Sequence, residues 1–471
     1  MKMRTETDSI GSMKVPARAY YGIQALRARD NFQITGRRMD SDFIVSLAQI
    51  KKAAAVTNRN AGDLNASVAN AIIAACDEII AGRLHSQFIV DPIQGGAGTS
   101  ANMNANEVIA NRAIELLGGE KGDYSIVHPN DHVNMSQSTN DVFPTAGKLT
   151  LLKLIPEVLC QLKRLAGALG RKEAEFDDVL KMGRTQLQDA VPIRLGQEFG
   201  AWAAAVKRDV VRLERVQDEL RTVNMGGTAI GTSVNATPAY LYQITANLQK
   251  ICGIKLVRAE NLVDGTQNLD GFVAVSGTMK TCAVNLSKMA NDFRLLSSGP
   301  KTGLNEISLP ARQNGSSIMP GKVNPVIPEV VSQVAFQIIG NDSTATLAAE
   351  AGQLELNAFE PVLFYDLFES ARSLAGAVKT LVDNCVTGIT ANRDVCRRHL
   401  EESVGIITAL CPYLGYAKSA ELAKESLKTG VPVLKLVESK KVLSGEKLKL
   451  ILDPAAMTGS ARILNTGRVS V

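Results

Sequence analysis

The segment FVAVSGTMKTCAVNLSKMANDFRLL at residues 272–296 decides the fold, because its apolar side chains recur in steps of three and four. These apolar positions are Phe272, Val275, Met279, Cys282, Leu286, Met289, Phe293 and Leu296. The spacing predicts a long amphipathic helix that ends at the Ser-Ser-Gly-Pro sequence of residues 297–300. An apolar stripe of this length needs partner helices to cover it.

Four other segments repeat the helical pattern. They lie at residues 151–169, 202–220, 330–338 and 363–385. We therefore expect a mainly α protein whose middle part is a bundle of five long helices. Shorter helices precede the bundle in a mostly helical first domain of residues 1–138, and after Asn392 short segments broken by Pro and Gly indicate a small third domain.

Composition and charge exclude several classes of protein. Hydrophobic residues make up 45% of the chain and charged residues 21%, which excludes a disordered or collagen-like protein. The 52 Lys and Arg against 47 Asp and Glu leave a formal charge of +5, without a block of five like charges. We therefore expect no nucleic-acid partner.

The cysteines and the N-terminus indicate the compartment. The seven cysteines are odd in number, widely spaced and without a C-x-x-C pair, as in buried thiols of a reducing compartment. The N-terminal sequence MKMRTETDSIGSMKVP lacks the apolar core of a signal peptide, so we expect a cytoplasmic protein. No uncharged stretch is long and apolar enough for a bilayer, so we expect no membrane partner.

Four segments between the apolar stripes are dense in hydroxyls, amides and glycine and nearly free of acids. They are GGAGTSANMN at 95–104, SQSTND at 136–141, GRTQLQD at 183–189 and GSSIMPGKVN at 315–324. One such segment alone is more often a helix cap than a site. The four together predict a pocket in which neutral donors and one lysine hold a small carboxylate-bearing molecule.

Two of these segments resemble nucleotide-binding motifs, and neither fits. Gly96-x-Gly98-x-x-Ala101 matches a dinucleotide fingerprint, which would suggest a nicotinamide-dependent dehydrogenase, but no alternation of strands and helices surrounds it. The stretch from Gly315 to Gly321-Lys322 has five intervening residues where a P-loop has four, and Val323 replaces the required Ser or Thr.

The histidines do not predict a metal site. His128 and His132 are four residues apart, but Pro129 breaks the helix that would align them. We interpret both as ordinary loop histidines and expect no bound metal.

The sequence GSSIMPGKVNPVIPE at 315–329 resembles the signature of the fumarase and aspartase superfamily. The blocks GGAGTSANMNANE, HVNMSQSTND and MGRTQLQDAVP resemble other blocks of that family in the same order. The resemblance runs from AYYGIQALRARDNF at 19–32 into the C-terminal part of the chain. In detail it is similar to the aspartate ammonia-lyases, since fumarases usually carry His where this chain has Gln186 and continue differently after KVNP.

The resemblance implies a reversible β-elimination that converts L-aspartate to fumarate and ammonia, with a role for each matching residue. Ser316 would be the base that removes a proton from Cβ. The groups that would hold the β-carboxylate as it becomes an enediolate are Thr99, Ser138, Thr139 and Ser317. The groups that would hold the α-carboxylate are Lys322 and Asn324, with Thr185 nearby. The groups that would face the leaving amine are Asn140, Thr139 and Gln186.

The resemblance also implies an architecture. It is a three-domain fold with an N-terminal domain of residues 1–138, a central five-helix bundle of residues 139–394 and a small helical C-terminal domain of residues 395–471. Family members form homotetramers whose active sites are shared between subunits, and the stripe at 272–296 is a separate reason to expect association here. We expect no redox or pyridoxal cofactor.

Two alternatives to an aspartate ammonia-lyase stay open from the residues. One is a class II fumarase-type hydratase that interconverts malate and fumarate. The other is a retired homologue without activity, kept as a structural or regulatory bundle, although the intact Ser316, Lys322 and Asn324 disfavour it.

Overall fold

The computed structural model describes residues 2–459 of the 471-residue chain. Residues 460–471, which belong to the predicted C-terminal domain, and Met1 of the predicted N-terminal domain lie outside the described residues. The strands are β1 Met3–Asp8, β2 Gly11–Pro16, β3 Leu180–Thr185, β4 Gln188–Arg194, β5 Thr222–Val223, β6 Val257–Arg258, β7 Ile307–Ser308 and β8 Thr390–Ala391.

Helices dominate the described chain. The first eleven are α1 Ile23–Asn31, α2 Ser41–Ala61, α3 Ala66–Ile80, α4 Thr99–Leu116, α5 Thr139–Glu175, α6 Leu195–Arg221, α7 Pro238–Cys252, α8 Leu262–Gln267, α9 Asp270–Leu296, α10 Val326–Glu350 and α11 Glu360–Asn384. Six shorter helices follow, α12 Arg393–Glu402, α13 Ile407–Leu414, α14 Tyr416–Thr429, α15 Val433–Ser439, α16 Gly445–Ile451 and α17 Pro454–Met457.

The five apolar stripes found in the sequence all lie on long helices, which confirms the expected mainly α fold. These helices are α5, α6, α9, α10 and α11, with 37, 27, 27, 25 and 25 residues. Helix α9 contains the whole stripe at 272–296, and its eight apolar positions are buried. The period of the apolar residues was therefore sufficient to locate these five helices.

Individual capping residues set the ends of the helices. Asp40 begins α2 by accepting hydrogen bonds from the backbone N–H groups of Asp42 and Phe43. Gly62 ends the same helix with φ of 83°, a left-handed conformation that glycine adopts without steric cost. Thr237 caps α7 through the N–H of Tyr240, and Pro238 occupies the first helical position, where no N–H is needed.

Within residues 2–459, the helices are accompanied by four two-stranded sheets. β1–β2, β3–β4 and β7–β8 pair antiparallel, whereas β5–β6 pair parallel. In the β3–β4 hairpin, Thr185 pairs with Gln188, so Gln186 and Leu187 form its two-residue tip.

The described chain divides into two compact units. Among the described residues, unit 1 contains residues 2–160, 211–284 and 334–375, and unit 2 contains residues 161–210, 285–333 and 376–459. The predicted domain boundaries near 138 and 394 stay a prediction. None of the described helices combines the length and apolarity that crossing a bilayer requires.

Each unit has an aromatic centre. In unit 1, the ring of Phe364 lies 4.9 Å from that of Phe272 and 5.3 Å from that of Phe143. In unit 2, the ring of Phe293 lies 5.0 Å from Trp202 and 5.9 Å from Phe199. These contacts join helices far apart in sequence, and aromatic pairs add about 0.5–1.5 kcal/mol each beyond the area that they bury.

We expect Gly147→Ala in α5 to destabilise the protein. A Cβ atom at this position would lie 2.4 Å from Cζ of Phe364, a ring already held by its aromatic neighbours. Overpacking of this kind costs about 1–3 kcal/mol, which exceeds the gain of about 0.5–1 kcal/mol from replacing a helical glycine. The midpoint of thermal unfolding should therefore fall.

Gly170→Ala on the same helix is the matched control. No atom lies within 4 Å of the added Cβ, so only the gain in helix propensity remains and the midpoint should stay or rise slightly. Equal midpoints for the two variants would contradict the packing at Phe364.

Candidate active site

The first group of predicted site residues lies in unit 1, at the starts of α4 and α5. Thr99 is the first residue of α4, and its N–H donates to the carbonyl of Gly96 at 2.9 Å. Gly98 precedes it with φ of 84°, and a Cβ there would lie 2.4 Å from the ring of Phe143. Close packing therefore requires glycine at position 98.

The turn before α5 carries Ser138, Thr139 and Asn140. Ser138 Oγ accepts the N–H of Asn140 at 3.2 Å, and Asp141 Oδ1 accepts the N–H of Ser138 at 2.9 Å. This reciprocal arrangement is a capping box, which fixes the entry into the helix. The side-chain amide of Asn140 donates to the carbonyl of Ala229 at 2.6 Å, so it is partly used to hold the 222–237 segment.

Asp141 is the buried support of this turn. Its other oxygen accepts the N–H groups of Gly226 at 2.9 Å and Thr228 at 3.2 Å. Burial raises the pKa of Asp141 to about 6, although the backbone N–H groups of Ser138, Gly226 and Thr228 act against this.

A series of hydrogen-bonded side chains supports Thr139. The amide of Asn102 donates to Thr139 Oγ1 at 3.1 Å and to Asn134 Oδ1 at 3.2 Å. The ammonium of Lys51 donates to the same Asn134 oxygen at 2.8 Å. Lys51 is fully buried, and burial lowers its pKa to about 7 while Asp141 acts against this. Because Asn102 lies one turn after Thr99, the start of α4 lies against the start of α5.

The sequence patterns did not indicate Lys51, Asn102 and Asn134 as supports of the site. Asn102 lies inside a quoted motif, so composition alone marked its segment. The position of Lys51 gave one indication of its role. It follows Ile50 within the buried face of α2, and a buried lone cation needs a polar partner.

The second group lies in unit 2, on the tip of the β3–β4 hairpin. Thr185 ends β3 and is exposed, and Gln186 follows it at the tip. Gln186 and Leu187 have φ of 54° and 62°, which are left-handed values for residues with side chains. The hairpin base is anchored, because the buried Met182 packs among the apolar side chains of the C-terminal helices.

The third group occupies the loop between β7 and α10, also in unit 2. Ser316 Oγ accepts the N–H groups of Ile318 at 3.2 Å and Met319 at 3.0 Å. The amide of Asn324 donates to the carbonyl of Gly315, which closes the loop on itself. A Cβ at Gly315 would lie 2.1 Å from the carbonyl oxygen of Lys322, so this closure needs glycine.

The remaining loop residues face outward in the single chain. Ser317 and Lys322 are exposed, whereas Ser316 and Asn324 are half-buried. The ten predicted site residues thus form three local clusters, namely Thr99 with Ser138–Asn140, the hairpin tip, and the 315–324 loop. Their roles in substrate binding stay predictions at this point.

The two histidines at 128 and 132 hold the backbone of the turn Pro129–Val133. The N–H of His128 donates to Nδ1 of His132 at 2.9 Å, and His128 Nδ1 accepts the N–H of Asp131 at 3.1 Å. Burial lowers the pKa of His132. Within residues 2–459, no group of three or more His, Cys, Asp or Glu side chains is arranged to hold a metal ion.

Comparison with protein families gives two matches. The family model described as Lyase matches residues 11–340, and the model described as Fumarase C C-terminus matches residues 406–459. The aspartate ammonia-lyase of Bacillus subtilis (strain 168) is 52% identical over 455 residues, which cover 97% of this chain and 96% of that protein. That of Helicobacter pylori (strain ATCC 700392 / 26695) is 52% identical over 457 residues, which cover 97% and 98%.

Solved structures share the fold. A fumarate lyase:delta crystallin from Brucella melitensis, crystallised bound to cobalt, matches with a TM-score of 0.95 and 53% identity over 98% of this chain and all of that chain. The class II fumarase of Schistosoma mansoni matches with a TM-score of 0.92 and 36% identity over 97% and 99%. The chain therefore belongs to the lyase family of the aspartate ammonia-lyases and class II fumarases, the fumarase and aspartase superfamily.

Proposed function

We propose that the protein catalyses the reversible β-elimination of ammonia from L-aspartate, which gives fumarate. The observation that carries this proposal is the 52% identity to aspartate ammonia-lyases over nearly the whole chain, against 36% to a class II fumarase. Gln186, at a position where fumarases usually carry His, supports the same choice.

Ser316 is the proposed base. A serine hydroxyl is a weak acid, so it removes a proton from Cβ of the substrate only if its alkoxide is stabilised. The N–H groups of Ile318 and Met319 already point at Ser316 Oγ, and they act as preorganised donors for the negative charge. These hydrogen bonds stabilise the alkoxide, which is the form that accepts the Cβ proton, without reorganisation of the loop.

The proton that leaves Cβ creates a carbanion next to the β-carboxylate. The electron pair moves onto that carboxylate as an enediolate, and the proposed donors to it are Thr99, Ser138, Thr139 and Ser317. These donors lower the barrier if they bind the doubly charged enediolate more strongly than the ground-state carboxylate. Expulsion of the amine from Cα then completes the double bond of fumarate.

The other substrate groups have separate proposed partners. Lys322 and Asn324, with Thr185 nearby, hold the α-carboxylate. Asn140, Thr139 and Gln186 face the leaving amine. The side chains handle the proton and the charge, so the proposed reaction requires neither a redox nor a pyridoxal cofactor.

We propose further that the active sites are shared between the subunits of a homotetramer. Several long helices expose large apolar side chains in the single chain, namely Val211 on α6, Val284 and Leu295 on α9, and Val330, Phe336 and Leu347 on α10. Phe336 is 62% exposed and Leu347 67% exposed. Burial of this surface against other copies would stabilise the assembly. None of the seven cysteines, all of which lie within the described residues, forms a disulfide, which supports a cytoplasmic location.

A substrate panel tests the activity. We expect the purified protein to release fumarate, followed by its absorbance, and ammonia from L-aspartate, and to form no fumarate from L-malate. L-Asparagine should react far more slowly, because its amide stabilises the developing negative charge less well than a gripped carboxylate. Activity on malate alone would favour the class II fumarase alternative, and activity on neither substrate would favour a retired homologue.

The variant Ser316→Ala tests the base. Loss of a general base lowers kcat about 10²- to 10⁴-fold, whereas the thermal midpoint and the native mass should stay unchanged because Ser316 lies outside both cores. Ser317→Ala is the matched comparison in the same loop. It removes one of several donors to the enediolate but leaves the base in place, so it should lower kcat less than Ser316→Ala does. Near wild-type turnover by Ser316→Ala would refute the assignment.

Light scattering tests the assembly. We expect a native mass of four chains of 50.3 kDa. Residues 336 and 347 lie about three turns apart on one face of α10, so Phe336→Asp combined with Leu347→Asp should dissociate the tetramer. The matched control is Tyr242→Asp on α7, a side chain that is 88% exposed, and it should leave the mass unchanged. A monomeric wild-type protein would rule out shared sites.

A further inference from the structure

We infer that Glu306 is a positioning residue of the elimination site, because its buried carboxylate clamps the strand whose end presents Thr185 and Gln186. The inference rests on the proposed function, in which Gln186 faces the leaving amine. Glu306 lies outside the four polar segments of the sequence, and it precedes β7.

The hairpin tip is strained and needs external support. Gln186 and Leu187 both have positive φ, as the two central residues of a type I′ turn do, and such turns favour Asn-Gly. A residue with a side chain pays about 1–2 kcal/mol for this conformation. Leu187 is 68% exposed, so its packing does not offset the cost. Strain of this kind persists only where the surroundings hold the backbone in place.

Glu306 holds the backbone before the tip in place through its contacts to β3. Its side chain is fully buried, and Arg184 donates to Oε1 at 2.8 Å while Lys181 Nζ lies 2.8 Å from Oε2. Both cations are on β3, and Arg184 directly precedes Thr185. His399 Nδ1 lies 3.2 Å from the same Oε1. The carboxylate therefore holds the end of β3, just before the tip, in place.

The charge of Glu306 is maintained in this environment. Burial would raise the pKa of Glu306, but Lys181 and Arg184 outweigh it and hold that pKa below its ordinary value. Lys181 is also satisfied by Glu198, whose oxygens lie at 2.9 and 3.0 Å. Breaking a buried pair of this kind by removing one charge leaves the other uncompensated, which is more costly than losing an exposed pair.

The backbone of Glu306 is as firmly held as its side chain. Its N–H donates to the carbonyl of Leu296 at 2.8 Å, and its carbonyl accepts the N–H of Asn392 at 2.9 Å. The thiol of Cys396 donates to the same carbonyl at 3.5 Å. The carboxylate therefore cannot follow a moving hairpin, and it acts as a fixed anchor for Arg184.

Two further contacts anchor other parts of the hairpin. Asp189 on β4 accepts the hydroxyl of Ser403 at 2.7 Å, and Met182 is packed in the C-terminal core. These contacts hold the far strand and the base of the hairpin. The position of Gln186 relative to the strand before it depends instead on Arg184 and Glu306.

The variant Glu306→Gln tests the clamp in the full-length assembled protein. It keeps the size of the side chain but removes the charge that holds Arg184. We expect faster hydrogen exchange in the peptide covering residues 180–194, and kcat/KM for L-aspartate lower by about 10- to 100-fold, since a misplacement of about 1 Å costs this much. The inhibition constant of succinate, which has no amine, should change less than about threefold, because the other two clusters still bind its carboxylates.

Glu198→Gln is the matched control. It removes a carboxylate from the same lysine without contact to Arg184, so hairpin exchange and the ratio of the aspartate and succinate effects should stay as in the wild type. If Glu306→Gln fails to fold, Arg184→Gln removes the other end of the clamp from a partly exposed site and should reproduce the exchange and kinetic pattern.

The outcomes separate the two proposals. Unchanged exchange and kinetics in Glu306→Gln, together with aspartate turnover by the wild type, would overturn the clamp and leave the proposed function standing. An equal loss of aspartate turnover and succinate affinity would show a merely structural role and would also overturn it. If the wild type fails to turn over aspartate, the proposed function is wrong, and the hairpin exchange alone then decides whether Glu306 holds the tip.

Discussion

Two backbone N–H groups that converge on Ser316 Oγ are the interaction on which the proposed chemistry depends. A hydroxyl in water is too weak a base to remove a proton from carbon, so some feature of the protein must stabilise its anion. In this loop the donors come from Ile318 and Met319, and Gly315 permits the tight closure that aims them. The other proposed site residues can assist the reaction only if the Ser316 anion is stabilised.

Two of the three clusters of proposed site residues lie at or near helix starts. Thr99 and Thr139 are the first residues of α4 and α5, and the loop with Ser316 ends two residues before α10. The first turn of a helix carries unpaired N–H groups and a partial positive charge, which favours anions. In the proposed reaction, neutral donors at these helix starts would hold the two carboxylates of the substrate, so few formal charges would be needed.

The sequence predicted the long helices and the polar segments, because both are local patterns of apolar spacing and composition. It did not predict the side-chain contacts that hold these polar segments in place. Arg184 and Glu306 are 122 positions apart, and Lys51 and Asn134 are 83 apart, so no local pattern connects them. Lysine, arginine and glutamate are usually exposed, and nothing local shows that these particular charges are buried as partners.

The two units hold their site residues by different physical means. At the hairpin, the support is ionic, since Lys181 and Arg184 keep Glu306 charged and bind it directly. At the turn before α5, burial lowers the pKa of Lys51 to about 7, so its charge is only partly present near neutral pH. A neutral amine still donates hydrogen bonds, so the contact from Lys51 to Asn134 survives deprotonation. The geometry around Thr139 therefore depends on hydrogen bonds, whereas the geometry around Gln186 depends on charge.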